Sequence, residues 1–194
     1  IAFEGGELKQ KLKSEKIKEK GEGKRSGTVV RVWPDPKYFE SAELPKADLT
    51  HLLRSKAVLM PGVTVTLTHE KTGEVQTWLY QGGLRDYLMQ SLPADPLIPL
   101  FEGAHYAEEG DSENNAEGEG AAWCVAFTEE GATLRESYVN LIPTVAGGTH
   151  EAGLKDGLFA AIKGFIEVHA LQPKGVKLMP DDIFSRASFV LSAK

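Results

Sequence analysis

The chain has 194 residues, of which 41% are hydrophobic and 26% charged, with a formal net charge of −6. That length can bury a sizeable core in one domain, or one plus part of another, and no apolar run approaches the ~18 residues needed to span a bilayer. The single cysteine, Cys124, excludes an internal disulfide and fits a reducing, cytosolic setting. The opening Ile-Ala-Phe-Glu-Gly-Gly lacks both an initiating methionine and a signal sequence, and reads as part of a longer protein.

In chain order, residues 1–4 and 28–33 read as strands. Between them, the Lys-rich stretch 9–20 ends in Gly21-Glu22-Gly23. Leu8 and Leu12 keep helical spacing there but Ile17 does not, so a solvated hairpin or mobile arm is favoured, with a basic nucleic-acid patch as the alternative. Pro34-Asp35-Pro36 is strong punctuation and a candidate domain boundary. Asp48 is then the expected cap of a helix carrying Leu49, Leu52, Leu53 and Ala57, which Pro61-Gly62 stops. Val63, Val65 and Leu67 alternate with threonines. With residues 75–80 across a Lys71-Thr72-Gly73 turn, they predict a β-hairpin with one half-buried face. Leu84, Tyr87, Leu88 and Leu92 predict a short helix ending before Pro93.

Residues 107–120 carry Glu108, Glu109, Asp111, Glu113, Glu117 and Glu119 without a basic residue, which matches the whole formal charge of −6. The net charge therefore reports one loop rather than the surface, and that loop, unable to supply a core, is expected to be disordered. Strands are expected on either side, around 97–106 and 121–127. Within the second, Cys124 reads as a small buried hydrophobe rather than a catalytic thiol. A further strand at 133–141 and a glycine-containing loop at 143–150 lead to the longest helix, with Leu154, Leu158, Ala161, Ile162, Phe165 and Ile166 as one apolar stripe. A short helix near 181–185 and a strand at 188–193 close the chain. Interleaved strands and helices favour an α/β or α+β class.

Little in the sequence can carry chemistry alone. The five histidines have no metal-ligand spacing, and no Gly-x-Ser-x-Gly elbow holds a nucleophile. Gly147-Gly148-Thr149-His150 precedes the long helix, where backbone amides can hold an anion. It lacks the Gly-Lys-Ser/Thr ending of a P-loop. A tight turn with Thr149 as the helix cap is the favoured account.

Several segments resemble one family. The run from Gly27 through Thr28, Val29, Val30, Arg31, Val32 and Trp33 to Pro34-Asp35 is similar to the strand closing the ATPase domain of B subunits of bacterial type II DNA topoisomerases, gyrase and topoisomerase IV. Glu136-Ser137-Tyr138-Val139-Asn140-Leu141-Ile142-Pro143-Thr144, followed by Gly147-Gly148-Thr149-His150 and Gly153-Leu154, resembles their transducer segment. Leu49-Thr50-His51-Leu52-Leu53, Lys56-Ala57-Val58-Leu59 and Pro173-Lys174-Gly175-Val176-Lys177-Leu178 tilt the likeness toward the topoisomerase IV branch, and Val190-Leu191-Ser192-Ala193-Lys194 fits as well. The acidic loop is longer and more charged than the family pattern. Ala160 stands where gyrase-like chains carry arginine, which weakens a DNA-contacting role for the long helix. Lys155 and Lys163 on that helix could line a DNA clamp, and a solvated face explains them equally.

The resemblance implies an α+β fold. Residues 1–38 would be the last strands of a gyrase/chaperone/histidine-kinase-type ATPase domain. Residues 39–194 would be a transducer like domain 2 of ribosomal small-subunit protein five, with a left-handed β-α-β crossover against the usual rule. It implies a cytoplasmic enzyme that uses ATP and Mg2+ and pairs with a second B subunit as a clamp on double-stranded DNA. The enzyme would act with an A subunit, with no membrane. Gly27, Thr28 and Val30 would form one wall of the adenine pocket. The catalytic glutamate, the Mg2+-binding asparagine and the glycine-rich lid would lie upstream of Ile1. The phosphate-contacting lysine, in a Gln-Thr-Lys loop, would follow Lys194, so the 194 residues alone are expected to be inactive. Gyrase B is the near rival. A non-catalytic module of the same fold, as in mismatch-repair or chaperone relatives, is not expected to carry the 139–150 motifs. A free-standing small enzyme would need a complete acid/base set.

Overall fold

A strand forms only where a neighbour completes its hydrogen-bond ladder, and the chain divides on that basis. The computed structural model describes residues 2–4, 6–11, 27–41, 43–108, 116–172 and 174–194. These fall into two units, Ile1–Glu43 and Leu44–Lys194.

In the first unit, β1 (Ala2–Glu4) and β2 (Glu7–Gln10) pair antiparallel across Gly6, whose φ of 82° suits a glycine at the turn. Most of the Lys-rich stretch lies outside the described residues. The strand expected at 28–33 does not form. Val29, Val30, Val32 and Trp33 are 87%, 78%, 75% and 79% exposed. Their β-branched sequence supplies propensity, but among the described residues no strand lies alongside to accept or donate a ladder bond. Asp35 closes a turn, its carbonyl accepting from Tyr38 N at 2.9 Å and its carboxylate from Lys37 N at 2.9 Å.

The second unit opens with α1 (Lys46–Leu59). Asp48 is not its cap: the helix begins after Pro45, and Asp48 falls in the first turn, where its charge favours the positive end of the helix dipole. The apolar face is set by Ala57 and Val58, 0% and 1% exposed, while Leu52 stays 39% exposed. The hairpin β3 (Val65–His69) and β4 (Glu74–Trp78) pairs Val65 with Trp78 and Leu67 with Gln76, and this is its half-buried face. The helix α2 (Leu84–Ser91) buries Tyr87 and Leu88.

A five-stranded sheet follows among the described residues, in the order β5 (Phe101–Tyr106), β6 (Gly120–Phe127), β9 (Ala187–Ala193), β7 (Arg135–Val139) and β8 (Ile142–Pro143). The central pair, β7 and β9, is parallel, so the chain crosses over through α3 (Thr149–Val168) and α4 (Pro180–Phe184). The two-residue strand β8 replaces the start of the expected loop. Asn140 and Leu141 turn into it with φ of 50° and 66°, costly for Leu141. Lys56 Nζ donates to the Leu141 carbonyl and holds that turn. Thr149 is likewise not a cap, because Gly148 occupies the cap position and no side chain bonds there. Of the acidic loop 107–120, expected to be disordered, residues 109–115 lie outside those described, whereas 107–108 and 116–120 are ordered, with Gly120 starting β6. Its base is closed by Ala107 N to Glu119 O at 2.7 Å and Gly118 N to Ala107 O at 2.9 Å.

Strand alternation gives the sheet two faces. Cys124, Ala126, Tyr138 and Val190 join Ala57, Val58, Tyr80, Tyr87 and Leu88 in one core. Val125, Phe189 and Leu191 join Ile183 and Phe184 in a second, against which Leu154, Leu158, Phe159 and Ile162 of α3 pack. No residue of α3 is fully buried; Phe165, expected in the apolar stripe, is 58% exposed. Small residues are the reason. Gly153, Gly157 and Ala161 face Trp123 and Leu191 across a groove of about 430 Å³, and a second groove of about 490 Å³ separates Ile162 and Phe165 from Phe101 and Phe127.

Candidate functional site

Gly27, Thr28 and Val30 lie in the first unit on irregular, exposed backbone. A Cβ built at Gly27 would meet nothing within 4 Å. The described residues do not gather these three into a pocket. Nor do the described residues build a magnesium site, since no group of three or more His, Cys, Asp or Glu side chains converges among them.

The convergent chemistry sits on β7, whose neighbouring residues Glu136 and Ser137 project to opposite faces of the sheet. On the α1/α2 face, the Glu136 carboxylate, 18% exposed, accepts the Tyr138 hydroxyl at 2.6 Å and the Tyr87 hydroxyl at 3.1 Å. His51 Nε2 approaches it to 4.0 Å from the solvent side. Arg54 Nε donates to the Tyr80 hydroxyl at 2.8 Å and its guanidinium lies 5.0 Å over the Tyr87 ring. Tyr80 and Tyr87 meet edge to face at 5.9 Å. Burial, with the Glu136 charge and hydrogen bonds behind it, pushes both phenols of Tyr87 and Tyr138 well above the ordinary range. Burial and then the Glu102 charge likewise push the Cys124 thiol up to about 11, which keeps it protonated and inert.

On the other face, Ser137 Oγ lies 2.7 Å from Thr144 Oγ1, which lies 3.0 Å from His150 Nε2. Thr144 Oγ1 donates to the Ser137 carbonyl at 2.8 Å, and Thr144 N donates to the same oxygen at 2.8 Å. Ser137 Oγ also stands 3.5 Å from Glu151 Oε2, and Glu151 Oε1 pairs with Lys155 at 2.7 Å. Lys163 pairs with Glu167 at 3.8 Å. Both lysines named for a DNA-facing helix are thus engaged on α3 itself. The sequence reading missed Glu136, Tyr138, Tyr87 and Arg54 as a unit. Only the alternation of Glu136 with Tyr138 hinted at it, because the tyrosine partner comes from a different element.

A sequence model of the DNA gyrase B family matches residues 83–194. The chain belongs to that family. It is 44% identical over 180 residues to the B subunit of DNA topoisomerase 4 from Pseudomonas aeruginosa, covering 89% of this chain and 27% of that one. It is 42% identical over 202 residues to the protein of the same name in Escherichia coli, covering 100% of this chain and 29% of that protein. The chain therefore spans less than a third of the length of these curated relatives. Among solved structures it is similar to the topoisomerase IV ATP-binding domain of Francisella tularensis, solved with a small-molecule inhibitor. The match has a TM-score of 0.62 and 34% identity, over 82% of this chain and 41% of that one. The mixed α+β architecture and this likeness bear out the fold expected from the resemblance. Among the described residues no helix is long and apolar enough to cross a membrane.

Proposed function

We propose that residues 39–194 are the transducer of a topoisomerase IV B subunit. In the complete cytoplasmic subunit they would couple ATP binding and hydrolysis to closure of a dimeric clamp and passage of one DNA duplex through another. The partners would be a second B subunit, an A subunit and double-stranded DNA, and the cofactors ATP and Mg2+. Residues 1–38 would close the ATPase domain, with Gly27, Thr28 and Val30 as one wall of its adenine pocket. The base, the metal ligand and the phosphate-contacting lysine would come from segments outside these 194 residues. The described residues build no ATP–Mg2+ site, and no chemical step is assigned to them.

The observation carrying the reading is the two-sided engagement of β7. Through Glu136 it accepts from Tyr87 of α2 and faces His51 of α1 at 4.0 Å, and through Ser137 and Thr144 it reaches His150 at the start of α3. Hydrogen bonds into both layers make the strand a mechanical connector, which a lever between two distant sites requires. Gel-based decatenation of linked DNA circles tests the reading, using the complete subunit with its A subunit. ATP-dependent unlinking of the circles is expected. Loss of linkage without ATP, or ATP-driven introduction of negative supercoils, would contradict it, the latter in favour of gyrase.

A further inference from the structure

The Gly147-Gly148-Thr149-His150 segment supplies no side-chain cap to α3, and its glycines answer two demands: Gly147, with φ of 71°, closes a turn by donating its N–H to the Thr144 carbonyl at 2.8 Å, and Gly148 leaves room for a side chain. A Cβ at Gly148 would lie 2.7 Å from His150 Cε1 and 2.8 Å from Nδ1, and one at Gly147 would lie 3.1 Å from Glu151 Oε2. Gly148 is extended, with φ of 161°, a conformation open to any residue. What it requires is space, and the space is filled by the His150 imidazole.

That ring is held for a purpose visible in the hydrogen bonds. Thr144 has one hydroxyl proton, and the Ser137 carbonyl at 2.8 Å takes it. Its oxygen also lies 2.7 Å from Ser137 Oγ and 3.0 Å from His150 Nε2, so one hydroxyl joins all three groups. His150 Nε2 completes the link, because a threonine hydroxyl can both donate and accept. The chain runs from β7 through the β8 turn to the first turn of α3. It crosses to a helix that buries no residue fully and rests on grooved apolar contacts.

We propose that Thr144 and His150 are positioning residues that make α3 move with β7, so that displacement of the sheet reaches that helix. The inference rests on the strand-passage function proposed above. In the complete subunit, Thr144→Val removes the shared hydroxyl at nearly constant volume. Strand passage per ATP hydrolysed should fall about five- to tenfold while ATP turnover stays within about twofold. Thr144→Ser should restore the ratio. In the same proteins, amide exchange over residues 150–154 should accelerate in the valine variant and return to the wild-type rate in the serine variant. An unchanged ratio, a proportional fall of both activities, or failure of serine to restore coupling overturns the proposal. If the wild-type subunit passes no DNA, the functional reading fails instead. Unaltered exchange over 150–154 in Thr144→Val then refutes the latch separately.

Discussion

The two faces of the five-stranded sheet are built to different standards. Below β7 and β9, α1 and α2 bring Val58 and Leu88 to 1% and 0% exposure. They add a tyrosine–glutamate–arginine network in which the half-buried carboxylate has its partners. Above it, α3 is half-buried at best and lies over two open grooves. Packing density is what fixes one element to another, because dense interiors transmit displacement and gaps absorb it. The lower layer therefore moves with the sheet as one body. The upper layer keeps freedom except where it is bonded, at Thr144 and His150.

The largest effect comes from removing bulk where packing is tight. Leu88→Ala should destabilise the chain by about 3 kcal/mol, from lost transfer energy plus a cavity. Gly157→Ala is the opposite arm of the same comparison. A Cβ there meets nothing within 4 Å, so better helix propensity should add about 0.5–1 kcal/mol. Urea unfolding of the two variants checks both, and equal losses would erase the contrast between the faces.

A smaller effect is expected from Glu136→Gln, which leaves two phenols facing one carbonyl and one amide, at about 1–2 kcal/mol. The pH dependence sharpens it. Tyr87 and Tyr138 have raised folded-state pKa values, so their contribution is full below the ordinary phenol pKa of ~10 and is lost as pH climbs toward the folded values. The Cys124 contribution is lost similarly, and is gone above about 11. Removing the Glu136 charge should bring the two phenols back toward their ordinary range. Alkaline difference absorbance at the tyrosinate band would report an earlier titration in the variant, and an unchanged curve would deny the carboxylate its role.

Much of this arrangement was legible in the sequence. The order of elements, the hairpin at 63–80, the buried Cys124 and the long helix follow from spacing, and the ordered motifs pointed to the family. What escaped depended on neighbours. The 28–33 segment carries strand residues, yet a ladder needs a second strand that propensity cannot supply. Asp48 and Thr149 are good cap residues displaced by Pro45 and Gly148, which local backbone geometry places earlier in the chain. The β8 turn at Asn140 and Leu141 is costly by itself and is held by Lys56, a residue 85 positions away from Leu141 in sequence. The Glu136 network likewise required α1, α2 and β7 to meet before its chemistry could be seen.

The most direct test of the fixed and articulated layers is a pair of spin-label distances in the complete subunit, measured with and without a non-hydrolysable ATP analogue. One pair joins exposed Lys163 on α3 to exposed Glu102 on β5, and the other joins exposed Ala47 on α1 to the same Glu102. A broad Lys163–Glu102 distribution whose mean stays with the sheet because Thr144 and His150 tie the start of α3 to β7, beside a narrow and unmoved Ala47–Glu102 distribution, is the predicted result. Two equally narrow distributions would contradict it.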